Sequence, residues 1–304
     1  MSSTAKTMVL ASFAADALAL GAHWIYDVRQ IAARFGRIEG FLSPSPPTYH
    51  PTKQRGDLTH YGDQSLLLLQ SLADCGGFDA VRFARDWREF FETYTGYVDG
   101  ASRQTLSNMR SGAEWSQAGS ASTDLAGAAR IAPLVYRYRE DLGPLLETIR
   151  QQTIITHHRT EVAAAAEFFG RTAWHVLHGQ RPVDAMSRAT HELAPGQPIA
   201  GWVRDGLDSV GEDTGAAIRR FGQMCAVEAA LPATVHLIAK FEDRLEEGLI
   251  ENVMAGGDSA GRGQLTGLVL GAYCGPSALP DRWSTALNAR PQIEALLARL
   301  DEAA

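Results

Sequence analysis

The chain is poor in cysteine. It has three, Cys75, Cys225 and Cys274, and no C-x-x-C pair. An odd, sparse count excludes a disulfide framework and fits a reducing compartment. Long apolar runs are also missing. The stretch from Met8 to Gly21 is interrupted by Asp16, and nothing reaches the roughly 20 apolar residues of a membrane span. Only Lys6 leads that stretch, so it reads as a buried first helix capped near Thr4 rather than a signal peptide. Positive charge is not in excess. The net charge of −7 argues against a general nucleic-acid footprint. Together these features predict a cytoplasmic protein with neither a membrane nor a nucleic-acid partner.

Alternating runs of β-branched residues are absent as well, and apolar spacing is helical nearly everywhere. Between Asp79 and Tyr94, a helical stripe is expected from Val81, Phe83, Ala84, Trp87, Phe90 and Phe91. Glu161 to Leu177 is alanine-rich, and Pro291 to Leu300 closes the chain with a short amphipathic helix. Proline clusters at Pro44, Pro46, Pro47 and Pro51, then is missing until Pro133. That cluster reads as a long extended loop and a candidate wall of a site. With 304 residues, 45% apolar content, no clean linker and no repeat, the expectation is one compact all-α domain over residues 1–304.

Gly257-Asp258-Ser259-Ala260-Gly261 matches the G-x-S-x-G turn of serine esterases. That turn needs a strand before the serine, and an acid and then a histidine after it. Here the preceding Glu242–Met254 run has helical spacing, and the last histidine, His236, lies upstream. The esterase reading fails on both counts.

Two acidic turns each lead into an apolar helix. One is Thr59-His60-Tyr61-Gly62-Asp63-Gln64-Ser65, the other Gly256-Gly257-Asp258-Ser259. An aspartate at a helix start usually caps backbone N–H groups. The alternative is that both turns aim carboxylates into one cleft, where Mg²⁺ would find oxygen ligands. A third segment, Asp124 to Pro133, has small residues that admit a ligand, and Arg130 is suited to phosphate or to a structural ion pair. A fourth, Ile155-Thr156-His157-His158, reads as the capped start of the alanine-rich helix. His175 and His178 share a face near a helix C-terminus, where the dipole favours them without any metal.

In order, these segments form a pattern. Ala15-Asp16-Ala17-Leu18 and Gly21-Ala22-His23-Trp24 come first, then Tyr61-Gly62-Asp63-Gln64-Ser65. Gly127 to Leu134, Ile155-Thr156-His157, Gly256-Gly257-Asp258-Ser259, Gly267 and Gly271-Ala272 follow. The pattern resembles the ADP-ribosylglycohydrolase family, in the branch that includes the J1 crystallins of jellyfish, over roughly residues 7 to 276. The resemblance implies an orthogonal helical bundle whose active members hold two Mg²⁺ ions and cleave a glycosidic bond to ADP-ribose. It implies catalytic roles for Asp63, Asp258 and Gln64, with Asp63 and Asp258 also as metal ligands. It implies substrate contacts from His60, Tyr61, Ser65, Arg130, Gly257, Ser259 and Arg262.

The departures bear on function. Active members resemble Thr-Asp-Asp in the first turn, where this chain has Gly62, Asp63 and Gln64. They resemble Asp-x-Asp-Thr in the second, where it has Asp258, Ser259, Ala260 and Gly261. Two divalent ions would face half the expected carboxylates, so one Mg²⁺ or none is expected. Two functions follow. One is a hydrolase for an ADP-ribosyl or related nucleotide-sugar ligand with a degenerate metal site. The other is a non-catalytic binding or structural protein, crystallin-like, on the same fold.

Overall fold

The computed structural model describes residues 2–194 and 196–303. Among these the regular structure is all helical, with no strand and two isolated bridges, Ser120 with His157 and Asp124 with Ala226. The all-α expectation holds. At the centre, the first helix, Ser2–Ala19, lies along Ser259–Cys274. Gly263, Gly267 and Gly271 recur every four residues and so form one ridge. A Cβ on Gly267 would stand 2.5 Å from the Ala11 carbonyl oxygen, and one on Gly271 2.8 Å from the Ala11 Cβ. Glycine there lets the two helices touch closely. Every residue from Ser259 to Ala272 is buried, as a helix enclosed on all sides must be.

The helices Thr160–Leu177, Val227–Lys240 and Leu245–Met254 pack around Ser259–Cys274. The His60–Cys75 helix flanks the central pair, so the two acidic turns open at the heads of neighbouring helices. The proline-rich segment runs without helix between Val28–Phe35 and His60–Cys75, as expected.

Some local expectations change. The first helix already runs from Ser2, before Thr4. In Ala80–Thr93, Phe83, Ala84 and Trp87 are buried, but Val81 is 66% exposed because it turns away from that stripe. Thr156 does not cap the alanine-rich helix. It ends the preceding helix, Leu142–Thr156, and the next one begins at Thr160 after Arg159. His178 closes that helix, and His175 meets Glu192 at 3.0 Å.

Candidate active site

Neither acidic turn uses its aspartate as a cap. Thr59 caps His60–Cys75 by accepting from the Tyr61 amide at 3.1 Å, which leaves the Asp63 carboxylate for other partners. Asp258 occupies the N-cap position of Ser259–Cys274, but its side chain makes no capping bond.

The Asp258 turn is clasped from both sides. The Trp24 amide donates to the Gly257 carbonyl, and the Gly257 amide donates to Ile25, both at 2.9 Å. The Asp258 amide donates to the Gln223 carbonyl at 2.8 Å. Gly256 and Gly257 have φ of 72° and 67°, in the left-handed region. A Cβ on Gly257 would lie 2.1 Å from the Gln223 oxygen. Trp24 is itself left-handed, at φ 65°, an uncommon state for a bulky residue. Arg262, fully buried, donates to the Gly256 carbonyl at 2.5 Å, to Gln223 at 3.3 Å and to Asn252 Oδ1 at 3.2 Å. It therefore positions the turn. Burial lowers its pKa to about 10.

The turn holds Asp258 against a row of imidazoles. Asp258 Oδ1 accepts from His23 Nε2 at 2.8 Å, and His23 Nδ1 lies 2.9 Å from His50 Nε2. With Asp258 ionised, the proton order runs from His50 through His23 to the carboxylate. Both the Asp258 and the His23 side chains are sealed from solvent. Burial raises the Asp258 pKa to about 6, opposed by the charge of Arg262. Burial lowers His23 to about 3 and His50 to about 2, with imidazole neighbours adding to the effect at His50. His60 is driven well below its ordinary value by the same burial. All three rings are neutral near pH 7. Asp258 Oδ2 lies near the Trp24 indole and the Gly261 amide but makes no hydrogen bond of normal geometry. Ser259 Oγ, His50 Nδ1 and both nitrogens of His60 also lack partners.

Aromatic rings roof this polar row. Trp24 stacks on His23 at 4.2 Å, and Tyr49 and Tyr97 meet Trp24 edge-on at 4.9 and 5.1 Å. A cavity of about 420 Å³ opens beside them, lined by His23, Trp24, Tyr26, Pro47, Thr48 and Tyr49 among others. The proline-rich segment thus forms one of its walls.

Asp63 has a different set of partners. Its Oδ2 accepts from Lys53 Nζ and from the Tyr94 hydroxyl, each at 2.5 Å. Burial raises its pKa, and the Lys53 ammonium opposes the rise. Asp63 lines its own cavity of about 240 Å³ with Thr52, Lys53, Asp57 and Tyr94. Asp63 and Asp258 share no hydrogen-bonding partner.

The remaining expected residues are mostly internal. Arg130 donates to Gln152 Oε1 at 2.7 Å, to Gln64 Oε1 at 2.9 Å and to Thr156 Oγ1. These acceptors are neutral, so the buried Arg130 is held by hydrogen bonds and not by an ion pair. Gln64 also accepts from Trp87 Nε1 at 2.8 Å, and its amide donates to the His60 carbonyl. It braces the core instead of facing the cavity. Ser65 donates to the Tyr61 carbonyl and accepts from Gln264. His60 and Tyr61 do reach the site, packed against His23 and Trp24.

Gly62 and Gly261 have steric reasons. A Cβ on Gly62 would stand 2.3 Å from Asp16 Oδ2, and one on Gly261 2.8 Å from Asp258 Oδ2. Asp16, fully buried, accepts from the Thr59 amide at 2.7 Å and from Thr59 Oγ1 at 2.6 Å. Sequence reasoning did not select Asp16, His23, His50, Lys53, Tyr94 or Asp99 as site residues. Asp99 caps Gly100–Arg110 and approaches His60 Nε2 at 3.6 Å. A usable signal existed for His50, a lone histidine inside the proline-rich loop.

The class of protein is set by this fold: a helical bundle with acidic turns at the heads of two neighbouring helices. A sequence profile described as ADP-ribosylglycohydrolase matches residues 2–304, and the chain belongs to that family. Crystallin J1A of Tripedalia cystophora is 24% identical over 302 residues, covering 92% of this chain and 90% of its own. An uncharacterized protein of Archaeoglobus fulgidus is 26% identical over 301 residues, covering 98% and 95%. A solved structure titled ADP-ribosylglycohydrolase-related protein complex superposes with a TM-score of 0.76 at 23% identity, covering 99% of this chain and 98% of that one.

A two-magnesium centre does not fit these residues. Lys53 already places a positive charge on Asp63, Ala260 offers no ligand, and Asp258 is turned toward neutral imidazoles. Mg²⁺ prefers hard oxygen ligands in octahedral array.

Proposed function

We propose that this chain hydrolyses a glycosidic bond in an ADP-ribosyl or related nucleotide-sugar ligand, without the two-magnesium centre of the family's active members. The supporting observation is the Asp258–His23–His50 row, in which Asp258 keeps one oxygen unpartnered. A carboxylate with a pKa of about 6 is suited to take a proton from water near neutral pH. His23 fixes its orientation. The transition state of such a cleavage resembles an oxocarbenium ion, which a nearby carboxylate stabilises. Trp24, Tyr49 and Tyr97, set edge-on to one another, give an aromatic corner against which a base or sugar face packs.

A second reading is that the fold binds such a ligand without turning it over. It is favoured by the neutralised Asp63 and by the kinship with crystallins J1A and J1B. One experiment separates the two. Wild type and Asp258→Asn are titrated with ADP-ribose, with and without Mg²⁺, and assayed for ADP-ribose release from ADP-ribosylated peptides and nucleotide sugars. The hydrolase reading expects Mg²⁺-independent release that falls by about 100-fold or more in Asp258→Asn. Binding with no release from any substrate overturns it in favour of the second reading.

A further inference from the structure

The hydrolase reading uses Asp258 and His23 but leaves most of the imidazole cluster unexplained. His23, His50 and His60 are all buried, and each offers a ligand nitrogen within 4.8 Å of the others. A proton relay accounts for both nitrogens of His23 and for Nε2 of His50. It does not account for Nδ1 of His50 or for either nitrogen of His60. A buried polar group without a partner costs about 1–3 kcal/mol. His60, which has no hydrogen bond at all yet offers a nitrogen to the same cluster as His23 and His50, points to a missing partner.

We propose that His23, His50 and His60 bind one first-row transition metal ion of the zinc class. Neutral imidazole nitrogens suit Zn²⁺, Co²⁺, Ni²⁺ or Cu²⁺ and not Mg²⁺. His23 already has the arrangement of a metal ligand. Its Nε2 donates to the Asp258 carboxylate, which fixes the tautomer that leaves Nδ1 bare toward the cluster. His60 makes no hydrogen bond on either nitrogen, and its Nε2 lies 3.6 Å from Asp99 Oδ2, so a ring nitrogen is free for the ion. One pair of ligand atoms is already near the required separation. His23 Nδ1 and His50 Nε2 are 2.9 Å apart. Tetrahedral bonds of about 2.0–2.1 Å require about 3.3–3.4 Å between ligand atoms. The rings sit in three different segments, and His50 lies in a loop that can yield by that amount.

The proposal does not depend on turnover, so it is tested on metal binding alone. Metal-free wild type is titrated with Co²⁺ and followed by the visible absorption of protein-bound cobalt, then displaced by Zn²⁺. One ion per chain is expected. His60→Gln and His50→Gln, checked for fold by circular dichroism, lose it, and Asp63→Asn keeps it. Asp258→Asn, which alters only the orienting carboxylate, weakens binding by about 10–100-fold. Zn²⁺ also raises the wild-type melting temperature and Mg²⁺ does not, a readout that stands if the histidine variants fail to fold. Folded wild type that takes up no Co²⁺, uptake unchanged in His60→Gln or His50→Gln, or a melting temperature unmoved by Zn²⁺ would overturn the proposal. A catalytically silent protein that still binds Co²⁺ in this pattern would sink only the hydrolase reading.

Discussion

Asp16→Asn should stabilise the protein at alkaline pH and much less at acid pH. Asp16 is fully buried with no cation at ion-pair distance, and burial lifts its pKa from 3.8 to about 7 against the two Thr59 hydrogen bonds. In the unfolded chain the carboxyl ionises at its ordinary value. The folded state therefore holds a proton that the unfolded state has released over the range between the two values. The stability this contributes is fully present below 3.8 and is lost as pH rises through about 7, where the loss levels off. At about 1.36 kcal/mol per unit, wild type should lose about 3 kcal/mol from this group between about pH 5 and about pH 8.5. Asparagine has no proton to lose. Its Oδ1 can still accept the Thr59 amide while its amide donates to Thr59 Oγ1. Urea denaturation of both proteins at the two pH values isolates the term, because the other titrating groups are common to both. The difference in unfolding free energy should grow by about 3 kcal/mol in favour of Asp16→Asn on going to the higher pH. Curves that stay parallel across that range would refute the idea that Asp16 keeps its proton in the fold.

Two further outcomes test the turns. Lys53→Met should strand a mostly buried Asp63 carboxylate, and pairing it with Asp63→Asn should recover part of the loss. A double-mutant cycle is expected to give a coupling of about 1–3 kcal/mol, and strictly additive effects would mean that the pair contributes nothing. Gly257→Ala should destabilise by about 2 kcal/mol or more and disturb ligand binding, because a side chain there meets the Gln223 oxygen in a left-handed conformation. An alanine variant with wild-type melting temperature and affinity would show that the clasp around Asp258 is not needed.

The helical fold was legible because helix periodicity is a local signal, repeated in nearly every segment. The ordered motifs were legible because turns such as Gly256-Gly257-Asp258 carry their backbone demands in their composition. What could not be read was direction. On one helix start, His60 turns to His23, Asp63 turns to Lys53, and Gln64 turns inward to Arg130 and Trp87. All three occupy adjacent turns of the same helix, and only the neighbouring segments decide which way each one faces. Val81 escaped its predicted stripe for the same reason. Arg130 and Arg262 looked like phosphate ligands because arginine fits phosphate, yet side-chain amides and backbone carbonyls of neighbouring segments take up their donors.

The substitutions make physical sense once these partners are in place. A site that has lost carboxylates cannot hold a pair of divalent ions, but the carboxylates that remain still need counter-charge or protons. Lys53 supplies a tethered positive charge to Asp63, so that half of the site needs no ion. Asp258 accepts a hydrogen bond from a buried imidazole instead, with Arg262 as its nearby charge. An ammonium thus stands on one side of the site and imidazole nitrogens on the other. A protein that had merely lost function would have no need to bury three imidazoles beside Asp258. Unpartnered imidazoles are costly in a core, and apolar residues of similar volume would pack there without that cost. Keeping them is the expected outcome of an exchange of ligand chemistry in the same cleft, and Co²⁺ titration distinguishes that exchange from decay.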